Sequence, residues 1–238
     1  MNARLPQTPI DAEQAIGQIA VQLPGSTAIF RRLKLDFCCG GQVSLRQSCA
    51  AKGLDLQTVV DELSILQRPT ELPDAGTPSE LIDHILARYH EVHRAQLPEL
   101  IRMARRVEAV HRDHSEVPAG LADALEAMEQ ELLSHMHKEE AVLFPMLRAG
   151  GNSFATQPIA MMRHEHNDHG EALEQIARLT QDITPPLGAC NTWRALYAGL
   201  AQLRDDLINH IHLENNVLFP QFEQTATQGC GGGTCGCS

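Results

Sequence analysis

From about residue 79 to 223, apolar residues recur at alternating spacings of three and four, the period of helices that bury one stripe. The first stretch, about 79–112, carries Leu86, His90, His93, Leu97, Leu100, Ala104 and Val107, with Pro98 expected to kink it. The second, about 118–148, carries Leu121, Leu125, Met128, Leu132, His135, Glu139, Val142 and Met146. The third, about 157–181, carries Ile159, Met162, His166, His169, Leu173 and Ile176. The fourth, about 191–223, carries Trp193, Leu196, Leu200, Leu203, Leu207, His210, Glu214 and Val217, with Asn191 or Thr192 as its N-cap. Connections such as Pro185-Pro186-Leu187-Gly188 are short, which makes neighbouring helices antiparallel.

Upstream, the stripes are shorter. Residues 10–22 predict a helix burying Ile16, Ile19, Ala20 and Leu23, stopped at Pro24-Gly25-Ser26. Residues 26–35 predict a second, with Ala28, Ile29, Leu33 and Leu35 inward, and 43–52 and 55–67 two more. Three prolines and a glycine mark 68–79 as a linker, and residues 1–9 read as a frayed end. The fold class is therefore all-α. A small helical domain (10–67) and the linker precede an antiparallel four-helix bundle (80–223), and a Gly/Cys-rich tail (224–238) follows.

The bundle is internally duplicated. His135-Met136-His137-Lys138-Glu139-Glu140-Ala141-Val142-Leu143-Phe144-Pro145 returns 75 residues later as His210-Ile211-His212-Leu213-Glu214-Asn215-Asn216-Val217-Leu218-Phe219-Pro220. A shift of 76 maps His90 onto His166, His93 onto His169 and Leu97 onto Leu173. The repeated unit is a histidine-bearing helix followed by a helix with His-x-x-x-Glu, whose two side chains share one helical face.

These polar residues stand where the stripe otherwise carries leucine. A buried imidazole or carboxylate without a partner costs roughly 1–3 kcal/mol, and more for an ion. One such histidine reads as a hydrogen-bonded core residue, but four on four helices with two carboxylates read as a metal site. The candidate ligands are His90, His135, Glu139, His166, His210 and Glu214. His93 and His169 share the stripe, and their role stays open between an outer position at the metal and an ordinary core histidine. His137 and His212 point about 200° away from the ligands and are expected at the surface. His84, His111, His114 and His164 have no reading beyond ordinary positions. Four imidazoles shared between two ions, with both glutamates bridging, supply four protein ligands to each. A six-coordinate ion then keeps two positions, for a bridging oxide or hydroxide and an exogenous molecule. Mixed nitrogen and oxygen ligation with open positions suits iron, then manganese, better than structural zinc.

The net charge of −11 argues against nucleic acid or an anionic membrane as the main partner. No apolar run is long enough to span a bilayer, and the N-terminal residues lack the apolar core of a signal peptide, so a cytoplasmic protein is expected. Seven clustered cysteines favour free thiols or metal over a disulfide framework.

Cys38 and Cys39 lie in Asp36-Phe37-Cys38-Cys39-Gly40-Gly41, across the linker from the bundle, so replacing them is expected to leave the metal count unchanged. Adjacent α-carbons about 3.8 Å apart make an internal disulfide strained. That leaves a reactive pair, a soft-metal relay or a disulfide across a homodimer. Against these stands a purely structural turn in which Gly40 and Gly41 supply unusual dihedrals. Cys230, Cys235 and Cys237 in the tail either bind a soft metal and exchange thiols or belong to a disordered end. Cys49 and Cys190 read as ordinary packed or exposed residues.

The Asp36–Gly41 motif, Arg88-Tyr89-His90, Gln96-Leu97-Pro98-Glu99-Leu100, His135 with Glu139, and His210 through Pro220 together resemble the iron-sulfur cluster repair di-iron proteins. That family joins a small Cys-Cys-Gly-Gly domain to a hemerythrin-like bundle, and the resemblance covers roughly residues 10–223. It implies a non-haem di-iron centre on the six residues above. It also implies cytoplasmic repair of iron-sulfur proteins damaged by nitric oxide or peroxide, by supplying iron. Two rival readings remain: a hemerythrin-like module that binds or senses oxygen or nitric oxide, and a nitric oxide reductase or peroxidase. The thiol pair favours repair, because a carrier has no need of it. The stripes contain no tail residue, so deleting residues 229–238 is expected to leave the iron content of the purified protein unchanged.

Overall fold

The computed structural model describes residues 10–23, 26–66, 77–151 and 153–223. The stop at Pro24-Gly25, most of the 68–79 linker and the cysteine-bearing tail lie outside the described residues. Eight helices make up the described chain. α1 (Ile16–Gln22), α2 (Ser26–Arg32), α3 (Leu45–Lys52) and α4 (Leu56–Leu66) precede the bundle. Helix α5 runs Pro78–Ile85, Leu86–His90 and Glu91–Val110, and α6 runs Leu121–Lys138, Glu139–Leu143 and Phe144–Arg148. Helix α7 is Thr156–Leu179, and α8 runs Asn191–Leu213, Glu214–Leu218 and Pro220–Glu223.

Local chemistry sets the ends. Thr77 and Glu80 form a reciprocal capping box at the start of α5, with Pro78 in the first turn, where its missing N–H costs nothing. Ser44 Oγ accepts the Gln47 N–H at the start of α3, and Gly53 ends it at φ 66°. Helix α1 begins later than the periodicity indicates. The backbone of residues 14–17 is drawn into bonds with the 41–45 segment, including Ile16 N–H to Val43 O at 3.0 Å and Leu45 N–H to Gln14 O at 3.0 Å. Helix α8 begins at Asn191, so its N-cap is Cys190 rather than Asn191 or Thr192, and no side chain caps it. Pro98 sits inside α5 without ending it.

The bundle buries its stripes in two apolar layers. One holds Leu97, Leu100, Leu125, Leu132, Trp193, Leu200 and their neighbours, and the other Ile82, Ile85, Leu143, Leu147, Ile159 and Leu218 with theirs. Between the layers the core is polar, with His90, His135, Glu139, His166, His210 and Glu214 all at most 1% exposed.

The stripe changes register beside the polar layer. Three segments, Leu86–His90, Glu139–Leu143 and Glu214–Leu218, are π-turns, each holding one more residue than an α-turn. An extra residue rotates everything beyond it by about 100°. The expected core residue Val142 is consequently 53% exposed, while Leu143 and Leu147 are buried. In the same way Leu218 is buried rather than Val217, and Ile82 and Ile85 rather than Leu86. In α7, which has no π-turn, Ile159, Met162, His166, His169 and Ile176 are all buried.

A third cluster gathers Ile16, Ile19, Phe30, Leu35, Phe37, Leu45, Val59 and Leu63 from α1–α4. These helices are tied to the bundle by Arg31 Nη1 donating to Asn209 Oδ1 at 2.7 Å and by the Lys34–Asp182 ion pair at 2.7 Å. No helix among the described residues is long and apolar enough to cross a membrane. The register shift predicts that Leu143→Ala costs about 2–5 kcal/mol. Val142→Ala should change stability by less than about 1 kcal/mol, with both read from urea denaturation midpoints.

Candidate metal centre

The six stripe residues meet as two overlapping groups. His90 and His210 face each other with Nε2 atoms 3.1 Å apart, and His135 and His166 do so at 3.2 Å. Glu139 Oε2 lies 3.4 Å from the Nε2 of both His90 and His135. Glu214 lies 3.1 Å from His210 Nε2 through Oε1 and 3.0 Å from His166 Nε2 through Oε2. Each carboxylate therefore touches one imidazole of each pair. Helix α5 supplies His90, α6 His135 and Glu139, α7 His166, and α8 His210 and Glu214.

The outward nitrogens determine what the inward ones offer. His90 Nδ1 lies 2.7 Å from Glu140 Oε1, and His135 Nδ1 lies 2.9 Å from Glu165 Oε2. His166 Nδ1 lies 2.9 Å from Asn215 Oδ1, while the amide nitrogen of Asn215 donates to Cys38 O at 3.3 Å. A carboxylate only accepts, and a carbonyl only accepts, so all three Nδ1 atoms carry hydrogen. In the neutral ring the Nε2 atoms then present lone pairs inward, toward one another and toward buried carboxylates. Such an arrangement requires a cation between the groups. A proton can take that place on His135: burial pulls its pKa down, but the Glu139 charge and hydrogen bonds to Glu139 and Glu165 outweigh burial and hold it at about 10. For Glu214, burial favours the neutral acid, yet His210 and His166 keep its carboxyl well below the usual range. Burial and the Glu214 charge likewise raise Glu139, and His135 and His90 overcome both.

Glu139 Oε1 and His210 Nδ1 are buried without a hydrogen-bond partner among the described residues. Buried orphans are costly, and both nitrogens of His93 and Nδ1 of His169 beside the groups are orphans too. Phe144 stacks on His90 and Phe219 on His166, with ring centroids 5.7 and 6.1 Å apart, while Tyr89 stacks on His210 at 5.4 Å. Aromatic faces thus close three sides of the layer.

His93 and His169 flank the groups without joining them. Their rings lie 5.5 Å from His210 and 4.8 Å from His135. Burial first, and the neighbouring imidazoles second, lower them to about 2 and about 3, so both stay neutral. His137 is exposed as expected, but His212 is 5% exposed, because α8 is covered there by Phe37 from the thiol loop. Burial lowers His212 to about 4, partly offset by a hydrogen bond with the Phe37 backbone. His84, His111, His114 and His164 stay outside both groups.

The thiol pair is not remote. Cys38 and Cys39 are half-buried against the bundle core, with Sγ atoms 3.7 Å apart and Cys39 Sγ 3.5 Å from the carbonyl oxygen of His166. Asp36 shapes the loop by accepting the N–H groups of Cys39 and Gly40, each at 2.9 Å. Gly40 and Gly41 do not supply left-handed dihedrals; neither has positive φ. Gly41 is needed for closeness, since a β-carbon there would stand 2.5 Å from Phe37 O, and so is Gly17 opposite it, where one would stand 2.6 Å from Asn216 Oδ1. Periodicity alone missed Glu140, Glu165 and Asn215. The repeat held a signal for two of them: Glu140 and Asn215 are 75 residues apart and back histidines 76 residues apart.

Four antiparallel helices around two His/Glu groups with shared carboxylates define the hemerythrin-like class of non-haem iron proteins. Residues 81–222 match the Hemerythrin HHE cation binding domain, and residues 12–67 match the Domain of Unknown function (DUF542). The chain is 49% identical over 211 residues to the Iron-sulfur cluster repair protein YtfE of Cronobacter sakazakii, covering 88% of this chain and 96% of that one. It is 48% identical over 212 residues to the Dickeya chrysanthemi protein of the same name and 47% over 211 residues to that of Escherichia coli, each with the same coverage. The chain belongs to this family of iron-sulfur cluster repair proteins with a hemerythrin HHE domain.

Because His135 holds a proton up to about 10, a metal ion entering the layer must displace it at neutral pH. Adding ferrous iron to metal-free protein at pH 7 is expected to release at least about one proton per chain, read with a pH indicator in weak buffer. Metal affinity should fall as pH is lowered, since protons then compete more strongly for the same nitrogens.

Proposed function

We propose that the polar layer holds two non-haem iron ions with an oxide or hydroxide bridge, and that the protein repairs damaged iron-sulfur proteins in the cytoplasm by donating that iron. The observation that carries the reading is the pair of inward-facing imidazole couples sharing two buried carboxylates. Four nitrogens and two carboxylates form a donor set that suits iron. His90, His210, Glu139 and Glu214 would hold one ion, and His135, His166, Glu139 and Glu214 the other. Bound iron supplies the exchangeable ion for cluster rebuilding and open positions for small ligands such as nitric oxide or oxygen.

The chain's own residues do the rest. Glu140, Glu165 and Asn215 fix the tautomer and tilt of three imidazoles. The apolar layers keep bulk water from competing for the ligands. A cavity of about 360 Å³ lined by Glu131, Ser134, Lys138, Glu165, Asp168 and His169 opens beside His169, whose ring lies 4.8 Å from that of His135, and its carboxylates suit a passing cation. The thiols beside His166 add soft ligands that exchange metal readily. Small-ligand carriage alone would leave that loop without purpose, which favours repair. In this reading residues 10–67 form a thiol-bearing domain, 80–223 the iron-holding bundle, 68–79 the connection and 224–238 a tail.

Iron analysis and cluster repair, measured side by side on one damaged client, test the proposal. His135→Ala and Glu214→Ala should each lose iron, and full occupancy in both would remove the ligand assignment. Replacing Cys38 and Cys39 together by serine should keep about two irons per chain, because neither belongs to the His/Glu groups, yet lose most repair activity. Undiminished repair by the double variant would move the function to the bundle alone.

A further inference from the structure

Asn215 joins two parts of the molecule that the iron reading uses separately. It is 2% exposed in the π-turn that follows Glu214. Its Oδ1 takes the Nδ1–H of His166 at 2.9 Å, and its Nδ2 donates to the carbonyl oxygen of Cys38 at 3.3 Å. Arg163 Nη2 donates to the Asn215 carbonyl oxygen at 3.0 Å and holds the turn in place. One planar amide thus links a ring of the polar layer to the backbone of the thiol loop.

The duplication shows that this arrangement is not the simplest way to orient a ring. Asn215 corresponds to Glu140 in the first half, and Glu140 gives His90 its Nδ1 acceptor. A glutamate can accept from the ring but has no hydrogen to give a carbonyl. The asparagine amide, by contrast, accepts on its oxygen and donates from its nitrogen. The first half, where Arg94 meets Glu140 instead, carries no thiol loop. The second half, where the loop docks, carries the amide. Asn216 adds a grip of its own, donating to Phe37 O at 3.1 Å and Cys38 O at 3.4 Å, but it does not contact His166.

We infer that Asn215 is a positioning residue that locks Cys38 and Cys39 beside His166, so that metal leaving the bundle meets the thiols at a fixed place. The inference rests on His166 being a metal ligand only for its metal part; the lock itself is a property of the polypeptide.

The test compares wild type with Asn215→Asp, Asn215→Ala and Asn216→Ala. Asp keeps the acceptor for His166 and loses the donor to Cys38, and Ala loses both. The first measurement is alkylation of Cys38 and Cys39 by iodoacetamide in the metal-free protein, followed by peptide mass spectrometry, with circular dichroism to confirm the fold. Both Asn215 variants should react about five- to tenfold faster than wild type, as expected when one hydrogen bond no longer holds a loop closed. Wild-type rates in a folded Asn215 variant would overturn the lock. The second measurement is the near-ultraviolet and visible absorption of the iron-loaded protein. Asn215→Asp should shift it, because a carboxylate on Nδ1 makes His166 a stronger donor. Asn216→Ala should speed alkylation and leave the absorption in place. Equal shifts in Asn215→Asp and Asn216→Ala would overturn the special role of Asn215. Failure of wild type to hold iron would instead overturn the iron reading, and the alkylation result would stand independently of it.

Discussion

Everything in this molecule depends on keeping two fully buried carboxylates ionised inside an apolar bundle. Moving such an ion out of water costs several kcal/mol even after relaxation. Glu139 and Glu214 meet that cost by sharing four imidazoles, one from each helix, at 3.0–3.4 Å. Three imidazoles are in turn held by Glu140, Glu165 and Asn215, which turn their lone pairs toward the centre. A positive charge between the groups is thus a requirement of the layer, and a proton on His135 can supply it.

Placing six such groups between two leucine-rich layers strains a regular helix. A seam alternating threes and fours can bury either the histidine and glutamate or the next leucine in good register, and over several turns the two demands drift apart. The π-turns settle the conflict by inserting one residue at the buried polar side chains themselves, ending at His90 and beginning at Glu139 and Glu214. Leu143 and Leu218 then close the core in place of Val142 and Val217.

The π-turn after Glu214 has a second use. It carries Asn215 and Asn216 to the backbone of the Cys38 loop, and Gly17 and Gly41 leave the room that Asn216 occupies. The two halves of the duplicated bundle have consequently diverged where the thiol loop docks. Glu140 faces Arg94 in one half, while its counterpart Asn215 faces the loop in the other. Tyr89, the counterpart of Glu165, stacks on His210 instead of accepting from it. A duplicated scaffold thus offers two His/Glu groups with unequal surroundings.

By itself the sequence determined seven of the eight helices to within a few residues, the duplication, and the six polar residues that meet in the layer. Those features are local: periodicity, caps and spacing are properties of a short run of chain. The start of α1, the register beyond each π-turn and the burial of His212 were decided only in three dimensions. The same string of residues can bond i to i+4 or i to i+5, and packing against distant helices chooses between them. Contact between Cys39 and the carbonyl of His166 joins positions 127 residues apart. Nothing in either segment's pattern announces the other. Asn215 lies between these cases, because the repeat places it opposite a ring while only the folded chain shows the carbonyl to which it donates.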